Sequence, residues 1–538
     1  MARNRIIYAS QSVWCNGEVL YRVQSLGSTT TFTSEDTFEL GHLDIIDVVD
    51  DVPAVAVTLN TNDFGDLRTL ATLAQLTPTK KTMDATALDA TANLVVVSGT
   101  NLVETTTFLH GVALADFAIV CGNLPGVSIW APVQDECSLG TLTNNIDQTL
   151  FLDEVYVNSL EFSYTTGANA TENYGAETDN KMWLLNDGRF VNWDAYTVTG
   201  SATYFDLTLE SGTVVTPLSD GGASAFLRKE DGGSPGVTWY DTSENEVVNV
   251  EIMDPTAWLA APDTAKYHYE LLGTGITRVY FPTTGIYVPV DDDRIEMLYA
   301  ATGYGTAATS TYFSALEAID RPDMIGALRQ GQVEVYIVAN NESTYDTAWR
   351  LTGCTITSDL TREALSELGH LAPYDRPLTL PIPITVTIDT TAGDLENWSK
   401  FANKLSEFDD GTLDDIDLTD LTKSEDLKLV VKVYAQTDEE AGGTGSNRTI
   451  YAGSPLIGQT YMNDGIEGGA YTTAGETERA LKTIVVEHLK ITDEGATLDM
   501  GANMTQTFGF RSTNDLFVVK GDLSIAHITG DFKIRRNG

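Results

Sequence analysis

The chain has 538 residues, 42% of them hydrophobic and only 20% charged, enough apolar material for two or three domains and too little charge for a disordered polyelectrolyte. Asp and Glu number 77 against 32 Lys and Arg, a formal net charge of -45, so specific DNA or RNA binding is disfavoured. Such a surface also repels itself. Molar salt relieves the repulsion, because the Debye length falls to about 3 Å at 1 M. The acidic, lysine-poor, threonine-rich composition therefore points to a hypersaline cytoplasm; an ordinary acidic protein with solvated charge is the plainer alternative.

The opening MARNRIIYASQSVW has basic residues but no apolar stretch of signal-peptide length, and no apolar run reaches the ~20 residues of a membrane helix. The expectation is a protein made in the cytoplasm, with no membrane partner. Cys15, Cys121, Cys137 and Cys354 show no CxxC spacing. Cys121 and Cys137 could pair across a loop, although buried thiols suit a reducing compartment better.

Following the chain, LYRVQSLGSTTTFTSEDTF leads to ELGHL at 39–43, and ELGHL returns at 367–371, 328 positions later. Arg22, Thr29 and Glu35 match Arg350, Thr357 and Glu363 at the same offset. PAVAVTLNTNDFGDL then faces PIPITVTIDTTAGDL, with Pro53, Gly65, Asp66 and Leu67 against Pro381, Gly393, Asp394 and Leu395. The VTLNTN and VTIDTT cores sit one residue out. Their β-branched runs predict strands. Leu67, Leu70, Leu73 and Leu76 predict an amphipathic helix with an acidic first turn, as do Leu395, Trp398, Phe401 and Leu405. LVVVSG at 94–99 and LKLVVKVYA at 427–435 predict further strands, as do VYVNSLEFSYTTG and TIVVEHLKITDEG.

A second repeated block closes each unit. Gly167, Ala168, Asn169, Thr171, Gly175 and Asn180 recur as Gly501, Ala502, Asn503, Thr505, Gly509 and Asn514, with Tyr174 against Phe508 and Trp183 against Phe517. Asn beside Gly marks a turn. The chain thus carries one unit twice. The predicted fold is mainly β with some α+β character: two tandem β-sandwich or barrel domains, each with a flanking α-helix, at 1–200 and 326–538. A β-rich inserted or added segment occupies 201–325, where YFDLTLE, GVTWYD, EVVNVEIM, KYHYELLG, TRVYFP and GIYVPV are strand-like.

Nothing in the sequence assembles a catalytic site. There is no GxSxG, HExxH, GxxxxGK[ST] or Rossmann fingerprint. His42 and His370 recur in ELGHL, but without ligands at a useful spacing they read as turn or interface histidines and not as a metal pair. The acidic stretch 407–428 has loose DxDxT spacing yet lacks the glycine and terminal glutamate of a calcium loop. The triplets NAT, NES, NRT and NMT carry little weight without a signal peptide. The eight tryptophans, Trp14, Trp130, Trp183, Trp193, Trp239, Trp258, Trp349 and Trp398, are spread thinly and read as core residues. The expectation is no enzyme, no cofactor and no metal.

The order of strand, TFTSEDTFELGHLD loop, strand, helix and a strand closing in GANATENYG resembles the major tail tube proteins of long-tailed double-stranded DNA viruses. The resemblance covers both copies and rests on architecture. It implies a virion structural protein built in the host cytoplasm, and the net charge of -45, which needs salt to screen an assembly, links that reading to a halophilic, haloarchaeal host. Three chains of two tube domains each would form a homotrimeric, pseudo-hexameric ring, and rings would stack around a lumen through which viral DNA passes unbound. Other tail proteins (tape measure, terminator and baseplate) would be partners. The segments after each helix, 77–93 and 406–426, would reach the next ring. The alternatives are another virion or surface β-protein, such as a baseplate or decoration protein, and more remotely a carbohydrate-active enzyme.

Overall fold

The computed structural model describes residues 11–20, 22–38, 45–50, 53–62, 68–75, 111–117, 126–133, 148–178, 180–185, 190–200, 202–207, 226–228, 236–244, 246–272, 277–301, 333–339, 351–366, 376–390, 427–434, 480–497 and 505–520, with the short pieces 40, 88–89, 94–95, 368, 373, 460–461 and 469–470. The chain is mainly β. One large sheet system gathers strands from both halves, and a separate seven-stranded sheet lies between them in sequence.

Four strands of the first half set the pattern: β1 (Val23–Thr31), β2 (Ala54–Asn62), β3 (Gln148–Thr165) and β4 (Thr171–Thr178). Hydrogen-bonded neighbours run β1, β2, β4, β3, all antiparallel. In the second half, β5 (Gly353–Asp359), β6 (Pro383–Thr390), β7 (Ala480–Thr497) and β8 (Thr505–Thr513) run β5, β6, β8, β7. The two orders are the same. β6 shows why: Ile384, Val386 and Ile388 are buried while Thr385, Thr387 and Asp389 are exposed, the period of two that seats one face on a core. The ladders also settle the slip in the VTLNTN and VTIDTT blocks, because Leu26 pairs Leu59 while Cys354 pairs Ile388.

β3 and β7 are each 18 residues long and belong to two sheets at once. Each bends at one residue with positive φ, Glu154 at 51° and His488 at 55°, a conformation that costs energy for any residue with a Cβ. Their first portions, 148–153 and 480–489, build a second layer over the core. The core between the layers joins both halves, with Val57, Leu59, Phe162, Ile356, Val386, Leu429, Ile484 and Phe510 in one buried cluster. Each such side chain contributes roughly 1.5–3 kcal/mol.

The predicted first helix is present as the six residues Arg68–Leu73, with Leu70, Ala71, Leu73 and Ala74 buried. The helix is described from Arg68 onward, and Asp66 of the expected acidic first turn lies outside the described residues. The second predicted helix, at Leu395–Leu405, lies outside the described residues, as do 406–426 and nearly all of 77–93. Of LVVVSG only Leu94–Val95 is described, paired with Leu88–Asp89.

The intervening sheet starts at Phe190, ahead of residue 201, and ends at Ala301. Its order is Phe190–Thr197, Arg294–Ala301, Gly236–Asp241, Glu246–Met253, Tyr267–Leu271, Thr277–Tyr280 and Tyr204–Asp206, around its own core of Trp239, Ile252, Tyr267, Phe281 and Tyr299. A helix unforeseen in the sequence, Pro255–Ala260, begins where Asp254 accepts from the Ala257 backbone at 2.7 Å and Pro255 takes the first helical position.

Candidate functional site

The two halves meet edge to edge. β3 pairs antiparallel with β5, from Ser159 opposite Asp359 to Thr165 opposite Gly353. The eight strands therefore form one continuous sheet in the order β1, β2, β4, β3, β5, β6, β8, β7. The ladder is locked at both ends, where Leu360 donates from its backbone to the Asn158 carbonyl at 2.8 Å and Thr166 donates to the Thr352 carbonyl at 2.9 Å. Arg362 donates to the Val157 and Phe117 carbonyls across the seam, at 3.0 and 3.1 Å. Arg376 pairs with Glu177 at 2.8 Å. Beneath the sheet, fully buried Lys482 reaches Glu172 at 2.6 Å, and Tyr174 also donates to that carboxylate. A buried ion pair of this kind ties the halves together only because both partners are present; losing either would strand a charge.

At its two ends this sheet stops. Among the described residues, β1 pairs only with β2, and the 491–497 part of β7 pairs only with β8. These edges are the repeat equivalents of the two strands joined at the internal seam. β3 and β7 carry the same bulge, between Val157 and Ser159 and between Ile491 and Asp493, and each bulge faces a glycine, Gly175 or Gly509. An added Cβ on either glycine would meet the Ser159 or Asp493 side chain, which would have to turn away. The open edge differs from the seam in burial. Leu360, just past β5, is 0% exposed, whereas its counterpart Phe32, just past β1, is 79% exposed. Cys354, Ile356 and Ser358 are buried in the seam; Leu26, Ser28 and Thr30 at the same positions of β1 are half-buried. Burial pushes the Cys354 thiol up to about 12, with Asp389 nearby adding to the shift, so it stays protonated and unreactive.

Among the sequence candidates, Leu40 and Leu368 of the two ELGHL blocks are both fully exposed. His42 and His370 lie outside the described residues, as do Cys121, Cys137 and nearly all of the acidic stretch 407–428. Among the described residues no group of three or more His, Cys, Asp or Glu is placed to hold a metal. Cys15 and Cys354 are buried thiols. Trp14, Trp130 and Trp239 are core residues as expected, but Trp183 is not: it is 54% exposed. Among the described residues no helix is long and apolar enough to cross a membrane.

One feature escaped sequence reasoning. On the intervening sheet, Trp258 stacks on His268 with centroids 3.6 Å apart, His268 stacks on Tyr280 at 4.8 Å, and Arg278 lies 3.8 Å over Tyr204 while bonding both oxygens of Asp206. Cross-strand pairing of Tyr204 with Tyr280 and of Tyr280 with His268 creates the row. Burial lowers the His268 pKa against the opposing pull of Glu270, which keeps the imidazole neutral between its aromatic neighbours. Both faces of the His268 ring are thus covered by its aromatic neighbours. Neither protein-family models nor curated protein sequences show a match to this chain.

Proposed function

We propose that this chain is a virion structural protein, the major tail tube subunit of a long-tailed virus of a halophilic host. The observation that carries the reading is the internal seam: two copies of one four-strand order already join edge to edge, and among the described residues the matching edges at both ends have no further strand. An exposed sheet edge carrying a large apolar residue such as Phe32 is a template for another chain. Joining β7 of one chain to β1 of the next repeats the internal junction as a heterologous, head-to-tail contact, which closes into a ring when the rotation per half permits. Three chains then supply six equivalent sheets. The buried face of each sheet is covered by the chain's own core, so the solvent-facing side would line the lumen. There Thr58, Thr385, Thr387 and Asp389 are exposed and short, while Arg511, opposite Thr385, and Lys490, opposite Arg511, put two positive charges on the same face.

The net charge of -45 makes the reading salt-dependent. Rings should form in molar salt and fall apart on dilution into low salt. Electron microscopy and light scattering of the purified protein at both salt concentrations test this. Hollow threefold rings or stacks in high salt are expected; compact single chains in both conditions would overturn the proposal.

A further inference from the structure

Each half also builds the second layer in one order, but the two layers end differently. In the second half, Val333–Ala339, Leu427–Tyr434, the 480–489 part of β7 and Leu516–Lys520 follow one another. The last strand is then joined by Gly111–Ala113, contributed by the first half, with Val518 opposite Val112. Helix Leu114–Phe117 follows directly, with Leu114 and Phe117 buried. In the first half, Trp14–Cys15, Val127–Val133, the 148–153 part of β3 and Asn180–Leu185 follow in the same sequence, and there the layer stops among the described residues.

The register makes the comparison residue by residue. Thr178 donates its hydroxyl to the Asp153 carbonyl just as Ser512 donates to the Glu487 carbonyl. Beyond that point the second half carries one extra residue, so Trp183, opposite Leu150, corresponds to Val518, opposite Ile484, and not to Phe517 as the bare sequence alignment has it. Val518, paired with the first half's arm, is 2% exposed, and Trp183 is 54% exposed at an edge that has no further strand among the described residues.

We infer that the Asn180–Leu185 edge is a docking groove for an arm from the second half of a neighbouring copy of this chain, with Trp183 as its anchor. The occupant follows from direction. Inside the chain, the half that offers its β3 edge also donates the arm, and the half that offers its β5 edge receives it. Within these 538 residues no other half stands ahead of the first. In a head-to-tail ring the preceding half is the second half of the neighbour. The inference thus rests on the ring reading for its occupant and adds a second, strand-exchanged contact to each chain junction.

The test places the photo-crosslinker p-benzoylphenylalanine at position 183 in a mixture of two isotopically distinct versions of the full chain, irradiated in molar salt. Crosslinks between versions, mapping to the neighbour's second half ahead of Leu427, are expected. Trp183→Asp should leave the single chain folded and weaken association about thirtyfold, the loss of one buried tryptophan anchor. Assembled protein whose position-183 crosslinks stay within one chain, or reach the neighbour's first half, overturns the arm while leaving the ring standing. Protein that never associates overturns both.

Discussion

Asp153 and Glu487 occupy the same place in the two halves, buried carboxylates each one residue ahead of the positive-φ residue that bends an 18-residue strand. Their cations come from different sources. Glu487 pairs at 2.9 Å with Lys428 of its own half. The ladder places Ser128 where Lys428 would stand, since Val127 faces Val155 as Leu427 faces Leu489. The cation is instead Arg228 of the intervening segment, which donates to both Asp153 oxygens at 2.8 and 3.2 Å and to Ser128 at 3.0 Å. The inserted sheet is thereby fastened to the first half by a charge that the second half keeps for itself.

Removing that guanidinium leaves a buried carboxylate without its partner. Arg228→Met should cost ~3–5 kcal/mol in denaturant unfolding, and adding Ser128→Lys should return a large part of it by rebuilding the second half's arrangement. A loss under about 1 kcal/mol for Arg228→Met would show that the pair holds nothing.

The same pair sets an acid limit. Burial alone would raise the Asp153 pKa, but the Arg228 charge, its hydrogen bonds and the Ser128 hydroxyl outweigh that and hold the carboxyl below its ordinary value. A carboxylate depressed on folding contributes its full stabilisation above the unfolded value, about 3.9, and loses it as pH falls below that. Stability measured between pH 6 and 2 at constant salt should therefore drop below about pH 4, and Asp153→Asn should flatten that part of the curve. A wild-type profile no steeper than that of the variant would sink the assignment.

The bend in β3 needs room as well as charge. A Cβ added to Gly126 would lie 2.5 Å from the Glu154 carbonyl carbon and 2.7 Å from the Val155 nitrogen, backbone atoms that cannot rotate away. Gly126→Ala should cost ~1–3 kcal/mol by overpacking. Gly495→Ala is the control, because nothing lies within 4 Å of the added carbon, and its effect should stay within about 0.5 kcal/mol. Equal effects from the two substitutions would mean that the close approach at the bend carries no energy.

Much of this architecture was legible in the residues. The alternation of VAVTL and ITVTI gave strands whose apolar positions are the buried ones, and the repeated Gly175 and Gly509 mark the same bulge in both halves. What stayed hidden depends on partners distant in sequence. Arg228 has no local pattern that announces Asp153, and the pairing of β3 with β5 joins segments almost 200 residues apart. Trp183 read as a core residue because the tryptophans are spread thinly along the chain; only the ladder shows that it lies on the last described strand of its layer, exposed over half its surface.

Phe32 and Leu360 offer the sharpest test of assembly, since the repeat gives them one role and the single chain gives them two environments. Leu360 is sealed in the internal seam, so Leu360→Ala should cost ~2–5 kcal/mol of the chain's own stability through the cavity it leaves. Phe32 touches solvent over most of its surface, so Phe32→Asp should change single-chain stability by no more than about 0.5 kcal/mol. In molar salt the order reverses. Phe32→Asp would set a charge where the neighbour's second half must close over an apolar ring, and sedimentation should show association weakened by at least about thirtyfold. If Phe32→Asp sediments like the parent protein, β1 is not the edge through which chains join, and the resemblance between the open edge and the internal seam has no counterpart in solution.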